Sequence, residues 1–254
     1  MKKLFYLILI LGLISCKKEP TFADLIVFHY EKKEKLSFQH FNEGLGETGT
    51  GIMYIGKDTS QVNVKYFQTM LAPPPPPPFF KIQQDSVRDH ILSKYFYPFP
   101  GRVIFSYKNI IYDSLGSDNV KIVVKIQDTI PKYAYNFETG ILKKYKSFPV
   151  FIKNISGRKL ILPQFKNLFP ALLNDKKKWQ LIKNDNGLVC ADPSWNHVYW
   201  EFGPDEIIVT SVNFLPGKDR GKFKLSFGSA TSEPFMMNYD KKIIQDQDRY
   251  LEIQ

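Results

Sequence analysis

The chain of 254 residues carries 35 lysines and arginines against 25 acids, a formal net charge of +10 at pH 7. Hydrophobic residues make up 43% and aromatic residues 15%, enough to bury a proper core in one large or two modest domains. The chain has two cysteines, Cys16 and Cys190, and an internal disulfide is excluded if either is used otherwise; side-chain packing must then supply the stability.

Residues 1–15 have the pattern of a secretory signal peptide. Lys2 and Lys3 precede an apolar run at 4–14 that stops before Cys16. A helix crossing a bilayer would need roughly 20 apolar residues, and this run is well short of that. We therefore expect the segment to be removed and Cys16 to begin the mature protein.

The letters "LISC" at 13–16 resemble the lipobox of bacterial lipoproteins. The resemblance implies a diacylglyceryl group on the Cys16 sulfur, usually with a further chain on its amine, and a short tether at 16–23. Two or more acyl chains give stable membrane anchoring. The segment 17–19 (Lys-Lys-Glu) resembles the export signal of Bacteroidota lipoproteins, which implies an outer-membrane location with the exposed face left open.

Residues 24–144 are predicted to form a β-rich, antiparallel N-terminal domain. Runs of β-branched and aromatic residues bounded by turn formers predict strands at 25–30, 36–41, 51–56 and 61–67. The segments 119–127 ("NVKIVVKIQ") and 222–227 ("KFKLSF") alternate apolar and polar residues, which is typical of a strand with one face on a core and one in water. In the second segment Phe223, Leu225 and Phe227 are predicted to face the core.

One short helix is predicted near 85–97, because apolar residues recur there at helical spacing. Asp85 or Ser86 could cap it, and Pro98 would end it. The six prolines at 73–78 predict a rigid polyproline II segment. We interpret this segment as a stiff exposed loop, with a docking ligand for an aromatic groove as the alternative.

Residues 145–240 are predicted to form a β-sandwich, because short strands and turn signals recur at intervals of about 8–12 residues. The layout resembles immunoglobulin-like envelope domains of Bacteroidota lipoproteins. The resemblance rests on an opening strand that ends in Asn154-Ile155-Ser156, a middle tryptophan strand and an acidic turn at 204–206. It implies no catalytic residues. The segment 241–254 is expected to be a C-terminal tail.

No motif for catalysis or cofactor binding has the structural context that it needs. The glycines at 44, 46 and 49 match a dinucleotide fingerprint as letters, but a strand signal follows where a helix is required. The four histidines (His29, His40, His90, His197) lack metal-ligand spacing. Cys190 lies in an apolar run and is expected to be an inert buried thiol. We therefore expect no cofactor, metal, nucleotide or nucleic acid, while an acid pair for glycoside cleavage stays open.

The window 141–183 holds eleven basic residues and one acid, Asp175. Such a face concentrates polyanions around it. The predicted contacts for an anionic ligand are Lys143, Lys144, Lys153, Arg158, Lys159, Lys176, Lys177 and Lys178. The alternative is that these side chains only solvate strand faces and protect edges from aggregation.

The segment 194–202 ("SWNHVYWEF") contains four aromatic residues. Alternation assigns Trp200 and Phe202 to the core and leaves Trp195 and Tyr199 on the other face. Those two could form a stacking platform for a sugar.

Three Asp-Ser/Thr-aliphatic sites resemble the O-glycosylation sites of Bacteroidota proteins. They lie at 85–87, 113–115 and 128–130. If they are used, Ser86, Ser114 and Thr129 would be modified and exposed.

Together these patterns favour a non-enzymatic, lipid-anchored protein of the outer membrane that binds an anionic glycan or an envelope protein. The alternatives are an enzyme acting on envelope or extracellular polysaccharide and a purely structural subunit.

Overall fold

The computed structural model describes residues 20–40, 50–57, 59–68, 82–98, 103–105, 110–136, 139–163, 168–182, 198–246 and 252–253. These residues form a mainly β fold with antiparallel sheets, as the sequence predicts, and contain two helices where the sequence predicts one. In chain order the elements are a 3-10 turn (Phe22–Leu25), β1 (Val27–His29), β2 (Ile52–Gly56), β3 (Gln61–Asn63), β4 (Tyr66–Phe67), α1 (Ile82–Tyr95), β5 (Phe96–Tyr97), β6 (Val103–Phe105), β7 (Val120–Val124), β8 (Ile130–Asn136), β9 (Ile141–Asn154), β10 (Leu160–Pro163), β11 (Pro170–Leu173), β12 (Trp179–Leu181), β13 (Val198–Phe202), β14 (Ile207–Asn213), β15 (Asp219–Phe227), β16 (Ala230–Thr231), β17 (Phe235–Tyr239), α2 (Lys242–Asp246) and β18 (Glu252–Ile253).

A central sheet holds the fold together. Its order is β2-β14-β9-β7, and β8 also pairs with β9. With 14 residues, β9 is long enough to pair with β8 along its first half and with β7 along its second half. Strands from both sides of the predicted domain boundary at 144/145 thus share one sheet, and that boundary falls inside β9.

The central strands are buried on both faces. In β9, Phe148, Val150 and Ile152 belong to the core shared with the C-terminal strands, whereas Phe151 belongs to a second core shared with the N-terminal elements. Neither β9 nor β14 has a solvated face along its central part, because a layer of structure packs on each side of them. The predicted alternation of buried and solvated side chains is met at the start of β7 and in β15, where alternate side chains (Phe223, Leu225, Phe227) are buried.

The C-terminal layer covers one face of the central sheet. It contains a sheet of order β16-β15-β11-β12-β18, with β17 also paired to β15, and a three-stranded sheet of order β10-β13-β6. Trp200 and Phe202 of β13 are buried in its core, as predicted. The segment 241–254, expected to be a tail, contributes α2 with its buried Ile243, and β18 pairs with β12.

The N-terminal layer covers the other face and differs from the prediction in its pairing. β1 pairs with β3 and β4 pairs with β5, both in parallel, because the chain connects these strands through intervening segments rather than hairpins. The predicted strand at 61–67 is divided into β3 and β4. In the predicted strand at 36–41, residues 36–40 form only an isolated bridge from Ser37 to Tyr145.

The predicted helix is present as α1 and begins earlier than expected, at Ile82. Asp85 and Ser86 are therefore inside the helix rather than caps. Partly buried Ile91, Leu92 and Tyr95 pack against the second core, but Val87 is exposed. The tether is also shorter than predicted, because the 3-10 turn places Ala23 in the core with no exposed surface.

Asn154 joins the two corners that the sequence pattern marks, the Asn-x-Ser corner after β9 and the acidic turn between β13 and β14. Its buried side-chain amide donates hydrogen bonds to the carbonyls of Arg158, Phe202 and Gly203 at 2.8–2.9 Å. Its Oδ1 accepts the amide and hydroxyl of Ser156. One side chain therefore satisfies five polar groups.

We expect Asn154→Ala to lower the free energy of unfolding by roughly 3 kcal/mol or more, because three carbonyls lose their donor at a buried site. Asn154→Asp keeps the shape and the acceptor but loses the donor, and should destabilise the protein as well. Urea unfolding of the two variants would measure this. A loss below about 1 kcal/mol in both would contradict the role assigned to the side-chain amide.

We expect the fragment 145–254 not to fold, because it lacks the N-terminal layer and the partner strands β2, β7 and β8, and so exposes one apolar face and an unpaired edge of β9. Its near-UV circular dichroism should be flat and its urea unfolding non-cooperative, whereas the mature chain should unfold cooperatively. A cooperative transition in the fragment would show that the C-terminal strands form an independent domain.

Candidate functional site

A cleft of about 370 Å³ opens in the N-terminal layer, between the end of α1, the ends of β1 and β3, and the middle of β8. Four tyrosines line it (Tyr30, Tyr95, Tyr97, Tyr133), together with two glutamates (Glu31, Glu34), two lysines (Lys65, Lys94) and His29, Asn63 and Val64. Its volume is within the range of small-ligand sites. The mixture of aromatic faces and charged groups suits a polar ligand that has rings to stack.

Glu34 lies at the back of the cleft with a side chain that is only 6% exposed. One carboxylate oxygen accepts Lys144 Nζ at 2.7 Å, and the other accepts the Tyr133 hydroxyl at 2.9 Å. Lys144 Nζ also lies 3.3 Å from the Tyr95 hydroxyl. The carboxylate is thus held in place by groups from β8 and β9 and by α1.

The tyrosine rings pack into a continuous wall. The rings of Tyr95 and Tyr133 have centroids 4.4 Å apart, and Tyr66 meets Tyr133 edge to face behind the cleft. The buried Tyr66 hydroxyl donates to the carbonyl of Pro131 at 2.7 Å. Fixed rings lose little entropy when a ligand stacks on them, so this wall is preorganised for binding.

Ionisation at the site follows from these contacts. Burial, and then the hydrogen bond to the Glu34 carboxylate and its charge, raise the pKa of Tyr133 well above its ordinary value. Burial raises the pKa of Tyr66 in the same direction. Partial burial acts to lower the pKa of Lys144, but its hydrogen bonds to Glu34 and Tyr95 outweigh that effect and raise it.

At the mouth of the cleft, Glu31 pairs with Lys94 at 2.8 Å. Lys65 Nζ lies 4.6 Å from the centroid of the Tyr97 ring. Among the described residues no carboxylate lies within ion-pairing distance of Lys65. The cleft therefore presents one cation without an acidic partner beside an aromatic face.

The structure does not bring the eight predicted basic residues together. Lys143 and Lys144 lie near the start of β9 and Lys153 near its end, about 30 Å away along an extended strand. Arg158 and Lys159 lie at the corner before β10, and exposed Lys176, Lys177 and Lys178 form the turn between β11 and β12. Their contact with an anionic ligand stays a prediction.

Acids from distant parts of the sequence pair with several of these cations. Besides the Lys144–Glu34 pair, Arg158 meets Asp113 at 2.7 Å and Lys159 meets Glu201 at 2.9 Å. The Asp113 carboxylate also accepts the amide of Ile161, and these contacts lower its pKa. A charge count over 141–183 therefore overstates the positive field of that segment.

The other predicted site residues are placed as follows. Ser86, Ser114 and Thr129 are all exposed, and their modification stays a prediction. Tyr199 is half-buried on β13. Cys16, the prolines at 73–78, the glycines at 44–49, Cys190 and Trp195 lie outside the described residues.

Glu34, Tyr95, Tyr97 and Tyr133 were missed by the sequence analysis. The residues that meet Glu34 are 99 and 110 positions away along the chain, so no local spacing connects them. The available signal was weak: tyrosines two residues apart at 95 and 97 and at 133 and 135, and two glutamates three residues apart at 31 and 34.

The described ranges contain neither a cluster of metal ligands nor a membrane-spanning helix. No three His, Cys, Asp or Glu side chains there lie close enough together to hold a metal ion. None of the helices there is long and apolar enough to span a bilayer.

We expect the free energy of unfolding to fall steeply above pH 10. Tyr66 and Tyr133 keep their protons in the folded chain while the unfolded chain loses them, and each such group adds a slope of about 1.36 kcal/mol per pH unit. Stability is fully present below pH 10 and is lost above it. Urea unfolding between pH 9 and 11 should give a shallower slope for Tyr133→Phe than for the exposed control Tyr112→Phe. Equal slopes would contradict the assignment.

Comparisons with protein-family models, with curated proteins and with solved structures found no match for this chain. Its function is therefore inferred from the geometry and chemistry of the cleft.

Proposed function

We propose that the protein is a lipid-anchored, extracytoplasmic binding protein of the outer membrane that holds an anionic saccharide in the tyrosine cleft without transforming it. The signal-like segment at 1–15 and the lipobox-like residues ending in Cys16 support the anchor. The antiparallel order β17-β15-β11-β12 in the C-terminal layer supports an immunoglobulin-like assignment, since it matches the G-F-C-C′ sheet of such domains.

The observation that carries the proposal is the combination of a rigid tyrosine wall with the unpaired ammonium of Lys65. Sugar rings present C–H faces that stack on aromatic rings, and Tyr95 and Tyr97 on the cleft wall provide such rings. The acidic groups at the back and mouth of the cleft are already neutralised by Lys144 and Lys94. A single ligand carboxylate would find its counter-charge at Lys65.

Electrostatics favours an acidic over a neutral ligand for a further reason. An ammonium held against the Tyr97 ring is partly shielded from water, which strengthens its attraction to an anion. The hydrogen-bonding groups of Asn63 and His29 at the same edge can meet ligand hydroxyls. A uronic-acid residue combines all of these features: a stacking face, hydroxyls and one carboxylate.

The alternative is an enzyme acting on a polysaccharide, and one observation favours it. Glu31 and Glu34 line the same cleft, and glycoside hydrolases use a pair of carboxylates. Such a pair needs one protonated member. The hydrogen bond from Lys94 lowers the pKa of Glu31, and both oxygens of Glu34 already accept hydrogen bonds. Neither carboxylate is arranged as a proton donor, so binding is the better account.

The test is binding of tetragalacturonic acid to the mature chain by isothermal titration calorimetry, with maltotetraose as the neutral control. We expect Lys65→Glu and Tyr97→Ala each to weaken binding about tenfold or more, because each removes a direct contact with the ligand. Lys176→Glu/Lys178→Glu, at a turn of the other layer, is the matched charge control and should bind normally.

Three results would contradict the proposal. Equal affinity for the neutral and acidic sugars would remove the role of Lys65. Binding lost in the Lys176→Glu/Lys178→Glu variant but kept in Lys65→Glu would favour the basic turn instead. Release of reducing ends from polygalacturonate, abolished by Glu31→Gln, would establish the enzyme.

A further inference from the structure

A second charged surface surrounds the 3-10 turn near the start of the described chain. It lies near the end of β9, whereas the cleft lies near the start of that strand. We call it the anchor-proximal surface and define it by Lys121, Lys153 and the turn Phe22–Leu25. Leu25 on this turn is 76% exposed, an unusual position for a large apolar side chain in a turn with no partner. The surface is separate from the tyrosine cleft, whose lining includes none of these residues.

Lys121 of β7 and Lys153 of β9 lie directly opposite each other in an antiparallel pair. Directly opposed side chains share one face of the sheet, with Cβ atoms about 4.5–5.5 Å apart. Side chains of like charge that lie directly opposite each other destabilise a strand pair. Across the part of the chain that the structure describes, neither ammonium has a carboxylate within 4 Å.

Neighbouring groups hold this arrangement without neutralising it. Lys153 Nζ lies 5.8 Å from the centroid of the Phe22 ring, which directs it towards the turn. The nearby acid, Asp24, already pairs with Lys125 at 3.3 Å and accepts the Thr21 hydroxyl. Among the residues that the structure describes, the two opposed lysines therefore lack a counter-anion, and a bound anion would relieve their repulsion.

The position of the lipid anchor indicates where that anion comes from. Five residue steps separate Cys16 from Thr21, and an extended chain covers at most about 18 Å in that distance. Thr21 is fixed to the fold by the turn, and Ala23 is fully buried. A lipidated Cys16 would therefore hold Phe22, and with it Lys153, within reach of the lipid headgroups.

We propose that Lys121 and Lys153 bind the phosphates of anionic phospholipid headgroups, so that the protein rests on its own membrane through the anchor-proximal surface. This inference relies on the lipid anchor of the proposed function, but not on the ligand of the cleft. Exposed Leu25 is placed to enter the interfacial layer between those phosphates. The consequence is a defined orientation on the membrane.

The experiment uses the full lipidated protein in vesicles of phosphatidylcholine alone or with phosphatidylglycerol added, because a negative surface potential attracts lysines next to the membrane by about 1 kcal/mol each. Lysines are acylated with a water-soluble ester and quantified by mass spectrometry. We expect labelling of Lys121 and Lys153 to fall about fivefold or more in the anionic vesicles and to recover in high salt. Lys176 and Lys177, on a distant turn, are the matched controls and should be labelled equally in both.

Lys121→Glu separates docking from folding. It replaces a repulsive pair by an attractive one, so the urea midpoint should rise or stay unchanged while the protection of Lys153 in anionic vesicles is lost. Lys57 offers a second measurement of protection from acylation. It follows Gly56, which lies in the same cross-strand row as Ile207 and Lys153.

The mass of the N-terminal peptide from the same sample distinguishes the possible failures. Lipid on Cys16 with equal labelling in both vesicle types would overturn the docking surface and leave the anchored binding protein intact. Absence of lipid would overturn the anchor, and docking with it. Protection that survives Lys121→Glu would also overturn the role of the lysine pair.

Discussion

The fold depends on one constraint, the burial of β9 on both of its faces. Phe148, Val150 and Ile152 pack into the core under the C-terminal strands, and Phe151 packs against Phe22 and Phe28 of the N-terminal layer. A strand with two apolar faces needs a layer on each side, since either face left in water would lose its burial energy. The N-terminal segment, the helix and the C-terminal strands are thus held by the same few residues.

This shared strand also connects the candidate binding site to the rest of the molecule. Lys144, near the start of β9, fixes Glu34 at the back of the cleft, and Lys153, near its end, faces Phe22 of the 3-10 turn. Both lysines point to the N-terminal side of the central sheet, at opposite ends of one rigid element. Binding of a ligand at one end and contact with a membrane at the other would be related by a fixed distance.

The polar contacts of the C-terminal layer hold the fold together and do not line the cleft. Within the described residues its cores are apolar, and its conspicuous polar side chain, Asn154, is used to join two corners of the fold. This junction explains the Asn-x-Ser motif and the acidic turn, the two features through which the sequence resembles envelope immunoglobulin-like domains. They are structural requirements of the corner, and the candidate binding cleft lies in the N-terminal layer.

The sequence alone determined the mainly β character, the helix after the prolines and the burial of Trp200, Phe202 and alternate residues of β15, because these follow from short-range periodicity. It also indicated the signal-like leader and Cys16, which depend on local order along the chain. Only the tertiary structure decided that residues on both sides of 144/145 share a sheet, and that β1 and β4 find parallel partners. The same holds for the cleft: Glu34, Tyr95, Tyr133 and Lys144 meet across about a hundred residues. The acids that neutralise Arg158 and Lys159 likewise come from positions more than 40 residues away along the chain. Contacts of that range depend on how layers pack, and no local pattern of residues encodes them.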